Sequence, residues 1–128
     1  MRIFDLSGMI HERAGDHCLL AELFHPEMTA MGVACRYSLA HARVLAGEAT
    51  IPHRLKSSTE IYYILSGEGV MHVDDEISKI RAGNLIYIPP GAIQWVENRS
   101  VKDLVFLAIV DPAWREEDEE ILGQIPSI

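Results

Sequence analysis

The sequence contains few of the residues that mark metal-finger and disulfide-rich proteins. Two cysteines occur, Cys18 and Cys35, and neither belongs to a C-x-x-C pair or stands beside regularly spaced histidines. This pattern excludes a zinc finger, and nothing in it supports a disulfide framework. We therefore expect two reduced thiols that pack as small hydrophobic side chains.

Long hydrophobic runs are also missing. A membrane-spanning helix needs about 20 consecutive apolar residues, and no stretch of this chain approaches that length. The first residues, MRIFD, lack the apolar stretch of a signal peptide. We expect a cytoplasmic protein that does not associate with a membrane.

Basic residues are outnumbered, with 11 Lys and Arg against 19 Asp and Glu, and the formal net charge is −8. Residues 111–120 carry −5 of that charge, which leaves −3 for the rest of the chain. Such a surface repels a phosphate backbone, so we expect no nucleic-acid partner. A length of 128 residues with 48% hydrophobic residues fits one domain with one core.

Short apolar runs alternate with turn residues from about residue 45 onward. The runs are rich in β-branched and aromatic residues, which favours short strands in a β-sandwich or barrel. These runs cover residues 61–65, 70–73, 85–88, 93–96 and 104–110.

The flanking segments add further expected elements. Residues 32–44 predict one or two more strands, and residues 18–24 and 1–6 predict edge strands. One helix is predicted over about residues 112 to 122, because Asp111 is a favourable N-cap residue, Pro112 suits a first helical turn and acids follow.

Two spaced motifs lie in the strand-rich region, over Gly47–Gly67 and Gly83–Asn98. The first contains Gly47, His53, Leu55, Glu60 and Gly67, and the second contains Gly83, Pro89, Gly91, Gln94 and Asn98. Together they resemble the paired motifs of the cupin superfamily, G-x5-H-x-H-x3,4-E-x6-G and G-x5-P-x-G-x2-H-x3-N. The resemblance implies an all-β fold, the cupin double-stranded β-helix or jelly-roll barrel, here with a short C-terminal helix. Residues 1–128 are expected to form a single cupin domain, a monocupin of the cupin 2 type.

The motifs also point to a site inside the barrel. Strand alternation puts residues 53 and 55 on one face, and Glu60 begins the returning strand, so His53 and Glu60 can face each other. The resemblance places Gln94 in the same cavity. In metal-bearing cupins three histidines and one glutamate hold the ion, whereas here Leu55 and Gln94 replace two of those histidines.

The expected metal ligands are therefore His53, Glu60 and Gln94. Such a set suits a divalent ion (Zn, Mn, Fe or Ni) that is weakly bound or absent, because an amide is a poorer donor than an imidazole. His41 or His72 is available to complete the set, and period-two alternation does not decide which of them points inward.

Glu60 and His53 are also the candidate catalytic residues, because a carboxyl group and an imidazole can transfer protons. Alternation from Glu60 turns Tyr62 inward and Tyr63 outward. We expect Leu55, Tyr62 and Gln94 to line a substrate pocket, and Trp95 to face a second sheet or a partner chain.

Three functions remain open from the sequence. The first is a metal-assisted enzyme of isomerase, cyclase or dioxygenase type that acts on a small polar or aromatic molecule, with the missing histidine counting against iron-dependent oxygen chemistry. The second is a metal-free protein that binds a small ligand or regulates without catalysis. The third is a structural dimer without a ligand. We expect a homodimer in each case, because a small barrel leaves edge strands that a partner can cover.

Overall fold

Two facing antiparallel sheets make up the computed structural model, which describes residues 1–127. The strands are β1 (Glu12–Arg13), β2 (Leu19–Phe24), β3 (Ser38–Val44), β4 (His53–Leu55), β5 (Thr59–Ser66), β6 (Glu68–Val73), β7 (Glu76–Arg81), β8 (Leu85–Ile88), β9 (Gln94–Glu97), β10 (Leu104–Asp111) and β11 (Glu119–Ile121). Three short 3₁₀ helices lie in the described residues, at Leu6–Gly8, Thr29–Met31 and Glu116–Asp118. None of the helices in this part of the chain is long and apolar enough to cross a membrane.

The strand order confirms the predicted jelly-roll barrel. One sheet has six strands in the order β1-β2-β3-β10-β5-β8, and the other has five in the order β11-β4-β9-β6-β7. From β3 onward, strands that follow each other along the chain lie in opposite sheets, as β4 and β5 do, except for the hairpin of β6 and β7. This alternation between sheets places residues of both motifs on the interior of one barrel.

The core lies between the sheets and follows the period-two alternation of the strands. Along β10, Leu104, Phe106, Ala108 and Val110 are buried, and the residues between them are partly exposed. Phe106 packs on Tyr62 of β5 with ring centroids 4.4 Å apart. Each large apolar side chain buried in this way contributes about 1.5–3 kcal/mol.

Most predicted strands are confirmed within a residue or two, and the N-terminal ones are corrected in part. Residues 38–44 form one strand, and residues 19–24 form β2. Residues 1–6 form no strand; instead Asp5 accepts a hydrogen bond from the Ser7 backbone N–H at the 3₁₀ helix Leu6–Gly8. The strand β7 was not predicted, because its exposed residues alternate only weakly between polar and apolar.

The C-terminal helix is much shorter than the predicted span of residues 112 to 122. One 3₁₀ turn forms at Glu116–Asp118, and β11 then pairs with β4 along the edge of the five-stranded sheet. The buried Asp118 carboxylate accepts hydrogen bonds from the Ser57 backbone N–H (2.9 Å), Ser57 Oγ (2.6 Å) and the Ser58 backbone N–H (3.2 Å). The pairing of β11 with β4 and the hydrogen bonds to Asp118 stabilise this conformation more than a helix would, because β11 covers an otherwise open sheet edge.

Two glycines of the motifs have a positive φ but differ in their surroundings. Gly67 (φ 86°) lies in the turn between β5 and β6, where an added Cβ would come within 2.4 Å of the Asp103 carbonyl oxygen. Gly83 (φ 91°) lies before β8, and an added Cβ there would meet nothing within 4 Å. Gly67 is thus required for both its conformation and its lack of a side chain.

We predict that Gly67→Ala lowers the free energy of unfolding by about 2–5 kcal/mol, because strain from the left-handed conformation adds to a backbone clash. Gly83→Ala is the matched control and should cost about 1–2 kcal/mol from strain alone. Urea unfolding followed by fluorescence measures both values. Equal losses in the two variants would contradict the close approach at Gly67.

Candidate functional site

A cavity of about 160 Å³ lies between the two sheets. Its polar wall contains side chains from both sheets and from two connecting segments, among them Asp16, Glu22, His53, Glu60, Tyr62 and Glu119. The apolar wall is formed in part by Ala40, Phe106 and Ala108. A space of this kind, with a few convergent polar groups, is the usual form of a small-molecule site.

Three of the residues singled out in the sequence meet in one hydrogen-bond network. Gln94 Nε2 donates to Glu60 Oε1 at 2.7 Å, and the Tyr62 hydroxyl donates to Gln94 Oε1 at 2.9 Å. Gln94 lies opposite His53 in the pairing of β9 with β4, so both side chains enter the barrel from the same face. The strand register thus brings Glu60, Tyr62 and Gln94 into contact and sets His53 beside them.

The pKa of the Glu60 carboxyl group is raised into the neutral range. Burial raises the pKa of its carboxyl group to about 7, while His53 and the hydrogen bond from Gln94 act in the opposite direction. Its second oxygen, Oε2, accepts no hydrogen bond from any residue within 1–127. Near neutral pH, Glu60 can therefore either give or take a proton at the cavity wall.

The buried His53 is held in a defined orientation. Its Nδ1–H donates to the Ile51 backbone carbonyl at 2.7 Å, and its Nε2 lies 3.4 Å from Asp16 Oδ2. Because a carbonyl only accepts, Nδ1 keeps its proton and Nε2 is the nitrogen that can gain or lose one. Asp16 would stabilise the imidazolium formed when Nε2 is protonated.

Three acidic residues of the cavity wall were missed in the sequence: Asp16, Glu22 and Glu119. Asp16 lies in the turn between β1 and β2, and Glu119 begins β11, where its Oε2 accepts a hydrogen bond from Trp114 Nε1 at 3.2 Å. Asp16 had no local signal, because only the folding of the N-terminal hairpin brings it to the barrel. Glu119 was hidden by the prediction of an exposed helix.

The remaining candidates lie away from the cavity wall. Leu55 is buried but does not line the cavity, and Gln94 lies behind Glu60 and Tyr62. His41 is on the outer face, where its Nδ1 is 2.8 Å from His11 Nε2. His72 stacks on Trp95 and hydrogen-bonds Glu97 at 2.6 Å, so neither histidine completes the site.

Cys18 also lines the cavity, but it does not have the properties of a nucleophile. Burial, with Asp16 nearby, raises the pKa of its thiol well above the usual value. Its Sγ–H points to the Arg43 backbone carbonyl at 3.5 Å. A neutral buried thiol is unreactive, so Cys18 acts as a small hydrophobic wall residue.

The predicted ligands do not fit a resident metal ion as they are arranged. The Gln94 oxygen accepts from the Tyr62 hydroxyl and its Nε2 donates to Glu60 Oε1, so Gln94 turns an N–H rather than a lone pair toward Glu60. Over residues 1–127, no group of three or more His, Cys, Asp or Glu side chains is placed to hold a metal ion. The network thus engages the Gln94 side chain and Glu60 Oε1, while Glu60 Oε2 accepts no hydrogen bond from residues 1–127.

Comparison with known proteins agrees with the barrel and its motifs. The family model described as "Cupin domain" matches residues 40–110, which is more than half of the chain. The chain therefore belongs to the cupin family.

Two curated relatives match across most of their length. An uncharacterized protein of Methanocaldococcus jannaschii is 40% identical over 107 residues, which cover 84% of this chain and 83% of that protein. An oxalate-binding protein of Thermotoga maritima is 35% identical over 109 residues, which cover 85% of this chain and 84% of that protein.

Solved structures show the same fold. The crystal structure of a predicted oxalate decarboxylase from Thermotoga maritima superimposes with a TM-score of 0.75 at 26% identity, covering 87% of this chain and 99% of that one. A variant of Streptomyces Pac13 with uridine gives a TM-score of 0.77 at 18% identity, covering 99% of this chain and 95% of that one. At that identity the second likeness establishes the fold alone.

We predict that Glu60→Gln stabilises the protein at pH 8 but not below pH 4.5. Glu60 ionises near its ordinary pKa of 4.5 when unfolded but near 7 when folded, so folding loses stability as pH rises between these values. Glutamine keeps the acceptor for Gln94 and removes the charge, so the variant should gain about 2–3 kcal/mol above pH 7.

Thermal unfolding measured from pH 4 to pH 8 tests this difference. Glu76→Gln, which changes an exposed carboxylate on β7, is the control and should follow the wild-type profile. A Glu60→Gln profile parallel to that of the wild type would show that Glu60 is not desolvated in the folded chain.

Proposed function

We propose that this cupin binds a small organic molecule in the barrel cavity and acts on it by acid–base chemistry that requires no metal. The observation that carries the proposal is the Tyr62–Gln94–Glu60 network, because it occupies the amide that a metal site would need and leaves Glu60 Oε2 free at the cavity wall. Isomerisation or cyclisation of a small polar substrate needs groups of this kind.

His53 and Glu60 supply complementary roles. Neutral His53 can accept a proton at Nε2, and Asp16 then stabilises the positive charge. Protonated Glu60 can deliver its proton from Oε2 to a basic atom of the substrate, since its pKa of about 7 leaves a substantial protonated fraction at neutral pH. One group thus removes a proton while the other returns one, and the overall charge of the site is unchanged.

A non-catalytic binding protein is the alternative, and one comparison favours it. The relative from Thermotoga maritima is described as an oxalate-binding protein rather than as an enzyme. In that case Glu60, held by Gln94, would serve as a hydrogen-bond partner of a ligand that leaves unchanged. Product analysis with a bound ligand separates the two functions.

We predict that the purified chain holds less than one equivalent of Zn²⁺ or Mn²⁺ and that Leu55→His/Gln94→His raises metal affinity sharply. The double variant restores the family's histidines on β4 and β9, and removing Gln94 also frees Glu60 from its amide donor. Equilibrium dialysis with elemental analysis measures the bound metal.

Two results decide whether the site works without a metal. Small-molecule binding that survives exhaustive treatment with EDTA supports a metal-independent site. Stoichiometric metal in the native chain, lost in Glu60→Ala together with ligand binding, would overturn it. Leu55→His alone is the control, because it adds one imidazole without disturbing the Gln94 network.

We also propose that the chain is a homodimer, with the outer face of the six-stranded sheet as the contact. Cross-strand pairs Tyr63–Leu85 and Ile61–Tyr87 lie side by side on β5 and the edge strand β8, with Ile61 half-buried and the other three side chains exposed. The patch carries no charge of its own, so a second copy can cover it without pairing like charges. Trp95 is not part of this surface, because it stacks on His72.

We predict that Tyr87→Glu converts the dimer to a monomer, because it places a charge in the centre of the contact. Tyr87 is 59% exposed, and Ile77→Glu, at a residue 67% exposed on β7 of the other sheet, is the matched control that should stay dimeric. Light scattering at high micromolar concentration measures the mass. A wild-type chain that is monomeric under these conditions contradicts the proposal.

A further inference from the structure

The cavity is lined by acids without a compensating fixed cation. Asp16, Glu22, Glu60 and Glu119 all contribute to its wall, whereas no lysine or arginine does so within residues 1–127. Within residues 1–127, His53 is the single wall residue that can become positive, and it lies against Asp16. The same imidazole acts on Glu60 and Glu119, so four carboxyl groups share one possible cation in the wall.

Nearby arginines are engaged elsewhere. Arg13 pairs with Glu48 at 3.0 Å, Arg54 pairs with Glu120 at 3.0 Å, and Arg115 lies 3.7 Å from both Glu117 and Asp118. None of the carboxylates in these pairs lines the cavity. The protein thus places its positive charges outside the barrel and leaves the interior acidic.

Carboxyl groups of the cavity wall also raise the pKa of their neighbours. Burial raises the pKa of Glu60 and of Glu119, and the neighbouring Asp16 adds to both shifts. The pKa of Glu22 is raised as well, chiefly by desolvation. Because like charges at short range oppose ionisation, a positive group in the cavity would lower the energy of all of them.

The mouth has the composition that recognises an ammonium group. Trp114 lines the cavity, is 38% exposed and donates its indole N–H to Glu119. Glu22 lines the same cavity. An aromatic ring beside carboxylates is a favourable environment for an alkylammonium ion.

From this arrangement we infer that the ligand of the cavity is a small organic amine, bound as its cation, and not a carboxylate such as oxalate. The inference rests on the proposed function, since it concerns the ligand class of the same site. The ammonium group lies at the mouth with Glu22, Glu119 and Trp114, and the remainder of the molecule reaches Glu60 Oε2. A divalent ion is less suitable than an amine, because the carboxyl groups of the described residues are too dispersed to coordinate one ion.

The test uses the whole EDTA-treated chain and four probes: propylamine, 1-propanol, propionate and oxalate. Two-dimensional NMR at pH 7 follows the cavity residues during each titration. We expect propylamine to bind about tenfold or more tightly than propionate, with propanol between them, because charge is the main difference among the first three probes.

Matched variants test whether the carboxylate of Glu119 is responsible for the preference for a cationic probe. Glu119→Gln keeps the acceptor for Trp114 and should weaken propylamine binding by about tenfold while leaving propanol binding unchanged. Glu68→Gln changes an exposed carboxylate on β6 outside the cavity and should leave all affinities unchanged. Equal loss in both variants would assign the effect to net charge and overturn the inference.

The outcomes separate this inference from the proposed function. Binding of propionate or oxalate to the metal-free chain as tightly as propylamine overturns the amine assignment and leaves a metal-independent site in place. Binding of oxalate only after Mn²⁺ is added overturns both. Failure of all four probes to shift any cavity residue also overturns both, because the cavity would then not be a ligand site.

Discussion

A carboxyl group placed between two apolar sheets needs a hydrogen-bond donor, and in this barrel Gln94 supplies it. The amide links Glu60 of one sheet to the interior face of β9 in the other, and its oxygen accepts a hydrogen bond from Tyr62. This one side chain satisfies two polar groups whose burial would otherwise cost about 1–3 kcal/mol each. The position of Gln94 opposite His53 then brings the imidazole to the same cavity.

The chemistry of the site follows from that bond. An imidazole in place of Gln94 would offer a lone pair to a cation, whereas the amide turns its hydrogens to Glu60 and its oxygen to Tyr62. No lysine or arginine within residues 1–127 lines the cavity beside Glu60, and burial raises its pKa to about 7. With an amide at this position, Glu60 is held through one oxygen and presents the other at the cavity wall.

The acidity of the cavity has a different origin from that of the chain as a whole. Most of the net charge lies in residues 111–120, and of the six acids there Asp118 is fixed by Ser57 and Ser58 while Glu119 enters the cavity wall. A segment that would only add solubility in an exposed helix therefore contributes one carboxyl group to the site. The arginines that could neutralise the interior are held by surface carboxylates instead.

The sequence by itself determined the barrel, because glycine turns and period-two alternation are local and fix which side of a strand faces the core; Tyr62 inward and Tyr63 outward follow directly. Strand alternation also set His53 and Glu60 facing each other, and the resemblance of the second motif to that of cupins added Gln94 to the same interior. Only the tertiary structure decided that Gln94 bonds Glu60 rather than an ion, that Asp16 reaches His53, and that Glu119 belongs to β11 instead of a helix. The first two outcomes depend on contacts between residues 34 and 37 positions apart. The third depends on pairing at a sheet edge between Glu119 and Leu55, which are 64 positions apart. No local propensity encodes such contacts.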